Sequence, residues 1–286
     1  MKTSKECIDC LKRQTVTFSK VMNLGETETK QLIKFGYNHV EETIDKETAP
    51  KVTANIFEYA MDFINDDDPY KEEKEYSNKA AMEVIDKLEL EKEIQGVSGF
   101  ENAIKLSIAG NIIDYSAFDD VDDEKIYSTI KRVLEADFKS AKVTELQSDL
   151  KNAKKIMYIA DNAGEIVFDK LLLSKMDLSK VTFVIKSGPI VNDATLSDCE
   201  MVGIDQLVKV IDNGAAIQGC DLNYCSKEFI EEFNSSDLII SKGQANFETL
   251  DEINDKNIYF LLMAKCRKIA SCIGCEVGDF VLMRNN

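Results

Sequence analysis

The sequence predicts an α/β protein in which a helical N-terminal domain, residues 1–152, precedes a doubly wound, mostly parallel sheet with helices on both faces, residues 153–286. Three observations carry this expectation. Up to Asn152 apolar residues recur at three- and four-residue spacing, the period of amphipathic helices. After Asn152 short apolar runs alternate with helix-like segments, and alternating strands and helices imply a parallel sheet covered on both faces. A hydrophobic content of 44% over 286 residues supplies a substantial core.

In the first half the periodicity predicts helices over 6–20, 26–45, 49–64, 69–92, 99–115 and 124–150, separated by Asn23-Leu-Gly25, Asn65-Asp-Asp-Asp68 and the acidic run 119–123. Such acidic clusters suit solvated loops and helix N-termini, where the dipole favours them. The run 119–123 lacks the glycine and terminal glutamate of an EF-hand loop, so no calcium site is expected there. Helix 99–115 stands apart. Its apolar face is nearly continuous, yet Asn111 and Asp114 lie three apart on one side, and Gly110 lets another backbone come close. Buried polar groups need partners. The first reading of this pair is a structural network joining the two halves, and the second is a reach toward a functional site.

In the second half strands are predicted over 156–160, 181–186, 207–211, 237–241 and 258–263, with helices over 165–175, 193–202, 226–234 and 246–253. The last run, 279–283, follows Gly278 with too few residues for a helical crossover and is predicted to return antiparallel at an edge.

Composition narrows the function. A formal charge of −17 and a pI near 4.6 argue against a nucleic-acid binder, because phosphate backbones are held by basic surfaces. An anionic substrate must then meet a local cluster of cations or a metal. The N-terminus has no apolar signal core, and no run approaches the roughly 20 apolar residues of a membrane span, so a cytoplasmic protein without a membrane partner is expected. No feature of the chain sets an oligomeric state. Eight cysteines in such a chain are read as thiols or ligands. Cys7-x-x-Cys10 and Cys272-x-x-Cys275 each have half-site spacing for zinc, but an isolated pair is weak support for a closed site, and no structural thiolate metal is expected. Alternation along the late strand is expected to send Cys266 into the core.

The chemistry concentrates at the strand tips. In a parallel sheet every strand-to-helix turn lies on one edge, so the residues after each strand form one surface. Asp161, Asn162 and Glu165 follow the first strand, Lys186 to Thr195 the second, Asp212-Asn-Gly214 the third, Lys242-Gly-Gln-Ala-Asn-Phe-Glu248 the fourth, and Lys265 the fifth. The sole histidine, His39, falls in the helical half, which disfavours a histidine-rich zinc hydrolase and a Ser-His-Asp triad. Oxygen donors without histidine suit Mg²⁺ or Mn²⁺ seated between carboxylates and phosphate oxygens, and Asp161, Asn162 and Asp193 form the candidate ligand set. Lys242 and Lys265 are candidate phosphate partners, and Gly243 would let main chain approach a phosphate. The plainer alternatives are that Asp161 and Asn162 only cap a helix and that both lysines are ordinary strand-end residues. Neither a dinucleotide nor a nucleoside-triphosphate glycine fingerprint is present.

Taken in order, Cys7-x-x-Cys10, Gly110-Asn-Ile-Ile-Asp114, Asp161-Asn-Ala-Gly-Glu165, Lys186-x-x-Pro189-x-x-Asn192-Asp193-Ala-Thr195, Lys242-Gly-x-x-Asn246-x-Glu248 and Ala264-Lys-Cys266 resemble the damage-control phosphatase family, long catalogued as domain of unknown function 89, over nearly the whole chain. The CxxC start is similar to its stand-alone prokaryotic branch. The resemblance implies a helical domain, an α/β domain and metal-dependent removal of phosphate from a small phosphorylated metabolite, with Mn²⁺, Co²⁺ or Ni²⁺ favoured over Mg²⁺. It implies Asp161, Asn162 and Asp193 as metal ligands, Lys265 as a phosphate contact, and Gln244 to Glu248 as the substrate segment, where only Asn246 is identical and Glu248 replaces an arginine of the sugar-phosphate branch. The nucleophile is either a water or the Asp161 carboxylate. Glu165 is a candidate general base or a solvent-facing residue opening its helix. The alternatives are a non-catalytic sensor of a phosphorylated ligand or nucleotide, and, less favoured, a carboxyl methyltransferase, for which no methyl-donor site is seen.

Overall fold

The computed structural model describes residues 1–111, 123–136 and 140–285. Asp114 and residues 119–122 of the acidic run lie outside them. The first half folds as α1 (Ile8–Val21), α2 (Glu26–Thr43), α3 (Ala49–Met61), α4 (Lys71–Lys87), a single turn α5 (Leu90–Glu93), α6 (Gly99–Ala109), α7 (Asp123–Glu135) and α8 (Ser140–Asn152). Where the apolar period predicts one helix over 69–92, the chain breaks at Glu89, whose left-handed φ of 50° ends α4 and starts α5.

The second half alternates β1 (Ile156–Ile159), α9 (Glu165–Leu173), β2 (Val181–Ile185), α10 (Leu196–Val202), β3 (Lys209–Asp212), α11 (Lys227–Ser235), β4 (Leu238–Lys242), α12 (Gln244–Leu250), β5 (Ile258–Met263), α13 (Arg267–Ile273) and β6 (Phe280–Arg284). The sheet order is β3-β2-β1-β4-β5-β6, with β6 alone antiparallel, against β5. The short α13 before that antiparallel strand is not predicted; the sequence pattern reads 264–278 only as too few residues for a helical crossover, and a helix of seven residues fits there without one.

Strand alternation divides the core between the two faces. Ile156, Tyr158, Phe183, Ile240 and Tyr259 pack on one side against α4, α6, α9 and α10. Met157, Ile159, Ile239 and Phe260 pack on the other with Phe229 and Phe233 of α11 and Phe247 of α12. Chain order runs outward from β1 to β3, then returns to β4 beside β1. Strand order therefore reverses between β1 and β4, and such a switch point opens a crevice at the strands' carboxyl ends.

The helical half meets the sheet in two ways. Helices α4 and α6 pack on α9 and share one apolar core with the strands. Helices α1 to α3 form their own cluster around Phe18, Leu32, Val52 and Phe57, closed by Ile190 and Val191 from the loop after β2. Among the described residues no helix is long and apolar enough to cross a membrane.

Candidate active site

Backbone pairing laces the turns after β1 and β2 together. Ala194 N–H donates to Asp161 O at 2.9 Å and Ala163 N–H to Asn192 O at 2.9 Å, and an isolated antiparallel bridge joins Asn162 to Asp193. Asp161, Asn162 and Asp193 thus meet although 30 residues separate them. Asp161 and Asn162 do not cap α9, which has no side-chain cap. Instead the Gly164 N–H donates to Asn78 Oδ1 of α4 at 2.7 Å, so the helical half holds this turn.

The turn after β4 closes in from the other side. Gly243 sits at φ 79°, and a Cβ built there would lie 1.8 Å from Asp161 Oδ2. Its freedom serves the Asp161 carboxylate, where the sequence pattern assigns it to a phosphate. Asn246 is fully buried and donates to Ala160 O at 2.9 Å and Lys242 O at 2.7 Å, stapling the tips of β1 and β4.

Four buried carboxyls and two buried ammonium groups meet here. Lys242, fully buried, lies 2.6 Å from Glu165 Oε1 and 2.5 Å from Asp169 Oδ1, and donates to Ser107 O at 3.0 Å. Burial alone would lower its pKa, but the charges of Asp169 and Glu165 outweigh that and hold it above the ordinary value. Tyr158 and Ser107 hydroxyls also donate to Asp169, each at 2.8 Å. Lys186, buried as well, lies 3.5 Å from Asp193 Oδ2 and donates to Gly219 O. Burial raises the pKa of Asp193, with Lys186 opposing it, and Gln218 Nε2 donates to Asp193 Oδ1 at 3.3 Å while Oδ2 has no hydrogen-bond partner. Asp161 is pushed up to about 7, first by burial and then by the charges of Glu165 and Asp193.

Amide groups bridge these carboxylates. Asn162 Nδ2 donates to Asp161 Oδ2 at 2.9 Å and Glu165 Oε2 at 3.2 Å. Asn111, at the end of α6, donates to the same two oxygens at 2.6 and 2.5 Å. Its position follows from Gly110, where a Cβ would stand 3.0 Å from the Glu165 Cα, so α6 lies directly on the start of α9. Asn111 thus joins the helical half to the α/β half as the first reading from sequence has it, and does so at the candidate site.

Above these groups opens a cleft of about 810 Å³, whose wall includes Asp161, Asn162, Asn111, Gln218, Glu248 and Lys265. Lys265 is exposed, with its backbone N–H on Gln244 Oε1 at 3.0 Å. Lys242, Gly243, Asn246, Glu165 and Asp193 lie behind the wall and do not line the cleft. For Lys242 this corrects the phosphate-contact expectation, since its three donors are directed into the interior. For Glu165 it corrects the solvent-facing reading: one oxygen faces Lys242, the other faces two amides, and the residue is fully buried. Cys7, Cys10 and Cys266 line the mouth, so Cys266, packed only in part against the core, does not turn fully inward as alternation predicts. His39 is in α2, beside Asn55 at 3.0 Å, and is absent from the cleft wall.

The donor chemistry fits a hard divalent cation. Buried carboxyls outnumber the ammonium groups facing them, Asp193 Oδ2 is buried without a hydrogen-bond partner, and all donors are oxygen-bearing. Among the described residues no three His, Cys, Asp or Glu side chains converge to hold a metal by themselves; the amide oxygens of Asn162 and Asn111 are the further oxygen atoms at hand. Sequence reasoning missed Asp169, Ser107, Tyr158 and Gln218. The first three lie within elements, where only the hydrogen bonds around Asp169 and Lys242 give them a role, and Gln218 sits in a long loop with no periodic signal.

Residues 3–281 match the family model described as the damage-control phosphatase ARMT1-like domain. An uncharacterized protein of Methanocaldococcus jannaschii is 37% identical over 99% of this chain and 96% of its own length. A damage-control phosphatase of Pyrococcus horikoshii is 35% identical over 100% of this chain and 99% of its own, and one of Archaeoglobus fulgidus is 32% identical over 98% of each. The crystal structure of a DUF89 family protein from Pyrococcus horikoshii superposes with a TM-score of 0.89 at 34% identity, covering 100% of both chains.

Proposed function

The chain belongs to the ARMT1-like damage-control phosphatase family, and from that premise we propose that it is a metal-dependent phosphomonoesterase acting on a small phosphorylated metabolite. The observation that carries this reading is the cluster of buried carboxyls, outnumbering its ammonium partners, at the β1/β4 switch point beneath a cleft whose wall offers Lys265. Asp161, Asn162 and Asp193 would hold a divalent cation, with Mn²⁺, Co²⁺ or Ni²⁺ favoured and Mg²⁺ also suited to oxygen donors. When bound, such a cation supplies Lewis-acid polarisation of a phosphoryl oxygen.

The chain's own residues do the rest. Lys265, exposed on the wall and not held by a buried partner as Lys242 is, neutralises charge developing on the phosphoryl oxygens. Gln218 and Lys186 orient the Asp193 carboxylate. Gly243 keeps space for Asp161 beside β4. Lys242 bridges Glu165 and Asp169 in the interior, fixing the start of α9 under the site. Glu165, with both oxygens engaged, is a positioning residue and not the general base.

Purified protein loaded in turn with Mn²⁺, Co²⁺, Ni²⁺ and Mg²⁺ is expected to release inorganic phosphate from at least one member of a panel of phosphosugars, phosphopantetheines and nucleotides. Asp193→Ala is expected to lower that release by about two orders of magnitude or more and metal content with it; because it also leaves the buried Lys186 without its ion-pair partner, both are compared with wild type below the variant's own Tm. Tight binding of a panel member without phosphate release would replace the enzyme by a sensor. Full activity of Asp193→Ala with stoichiometric metal would refute the ligand set.

A further inference from the structure

We propose that Asn111 is an additional oxygen ligand of the divalent cation, supplied by the helical half of the chain; this rests on the metal reading above. Asn162, already in the candidate ligand set, places its amide against Asp161 Oδ2 and Glu165 Oε2, and Asn111 places its own against the same two oxygens at shorter distances, 2.6 and 2.5 Å against 2.9 and 3.2 Å. By contact chemistry the two asparagines are equivalent. Two neutral amide donors converging on two buried carboxylates do the work that a cation does when it is bound, which is to offset negative charge.

The far end of the amide leaves it free to turn. Among the described residues Asn111 Oδ1 is buried without a hydrogen-bond partner, so a half-turn about the terminal side-chain torsion breaks no contact with them at that end. The turn exchanges nitrogen for oxygen at the position facing the carboxylates. A donor that bridges two anions then becomes an oxygen ligand that joins them. The side chains available agree, since among the described residues no three His, Cys, Asp or Glu groups assemble a site, which leaves room in the shell for an amide oxygen. The placement is built into the fold, because Gly110 brings the end of α6 against the backbone of Glu165. Metal binding would therefore tie α6 to the sheet.

The test is calorimetric titration of MnCl₂ into wild type, Asn111→Ala and Asn111→Asp, with thermal unfolding of each in the presence and absence of Mn²⁺. An oxygen ligand and a mere donor predict opposite outcomes for the aspartate. As a ligand, Asn111→Asp retains wild-type affinity within a few-fold or binds tighter, its metal-free form melts below wild type because a third carboxylate joins the pair, and Mn²⁺ raises its Tm by more than it raises that of wild type. Asn111→Ala loses about tenfold or more in affinity. If Asn111→Ala does not fold, Asn111→Asp, which keeps the side-chain volume, decides alone. Asn111→Asp binding no better than Asn111→Ala, or failing to fold even with Mn²⁺, overturns the inference, as does undiminished binding by Asn111→Ala. These failures leave wild-type metal binding in place. Absence of binding by wild type would instead remove the metal reading together with this one.

Discussion

Lys242 directs all three of its donors into the protein, toward Glu165, Asp169 and Ser107 O, whereas Lys265 stands exposed on the cleft wall. Their substitutions should therefore separate stability from catalysis. Lys242→Met leaves two buried carboxylates without their counter-ion and is expected to cost about 3–5 kcal/mol. At about 2–4 °C per kcal/mol that is a Tm drop visible in any thermal scan. Lys265→Ala, at an exposed position, is expected to change stability by less than about 0.5 kcal/mol. Its phosphate release should fall by about a hundredfold, as when a group facing developing charge is removed. A stable Lys242→Met variant, or a fully active Lys265→Ala, would show the two roles to be misassigned. The difference between these lysines is invisible in the sequence. Both follow a strand, and strand alternation cannot show that an aspartate one turn into α9 and a carbonyl in α6 converge on one of them. What the sequence did make legible is the juxtaposition of Asp161, Asn162 and Asp193, because the strand-tip rule for parallel sheets needs only strand positions.

Helix α12 leaves β4 through Gly243 and carries Glu248 to the cleft wall, where the N-terminal amino group of Met1 binds the Glu248 backbone carbonyl at 2.5 Å. Burial pushes the Glu248 carboxyl up to about 7, opposed by the hydrogen bond from Gln244 and the charge of Lys268. The consequence for stability has a definite sign. Below pH 4.5 the group is protonated both folded and unfolded; between 4.5 and about 7 only the folded chain keeps the proton, so stability contributed here falls as pH rises and stays lost above that window. Glu248→Gln removes this dependence. The Tm of the variant relative to wild type is expected to be higher at pH 8 than at pH 4.5, and a gap independent of pH would contradict the burial of this carboxyl. The elements themselves were mostly readable, since long periodic helices and short apolar strands carry strong patterns. Some boundaries were not, and the single helix expected over 124–150 is two, α7 and α8. The break at Glu89 is a backbone turn inside an unbroken apolar period, α10 starts at Leu196 because Asp193 is drawn into the bridge with Asn162, and α13 is too short to repeat its pattern.

On the scale of the whole molecule, a formal charge of −17 surrounds a site meant for an anion. The cleft wall is nearly balanced locally, with Lys265, Arg267 and Lys268 set against Glu6, Glu73, Asp161 and Glu248, so the charge felt by an approaching phosphomonoester is dominated by the rest of the surface. Such long-range repulsion depends on salt. The screening length shrinks from about 30 Å at 0.01 M to about 8 Å at 0.15 M ionic strength, which removes distant charges from account while leaving contacts inside the cleft largely intact. With metal kept saturating, kcat/KM for an anionic monoester is expected to rise several-fold across that range, through KM more than kcat, because screening aids entry and not the chemical step. Unfolding temperature should rise over the same range as self-repulsion is relieved. A steady fall in kcat/KM with salt would mean that the three cations at the mouth dominate the approach and that the acidic surface is electrostatically remote from the cleft.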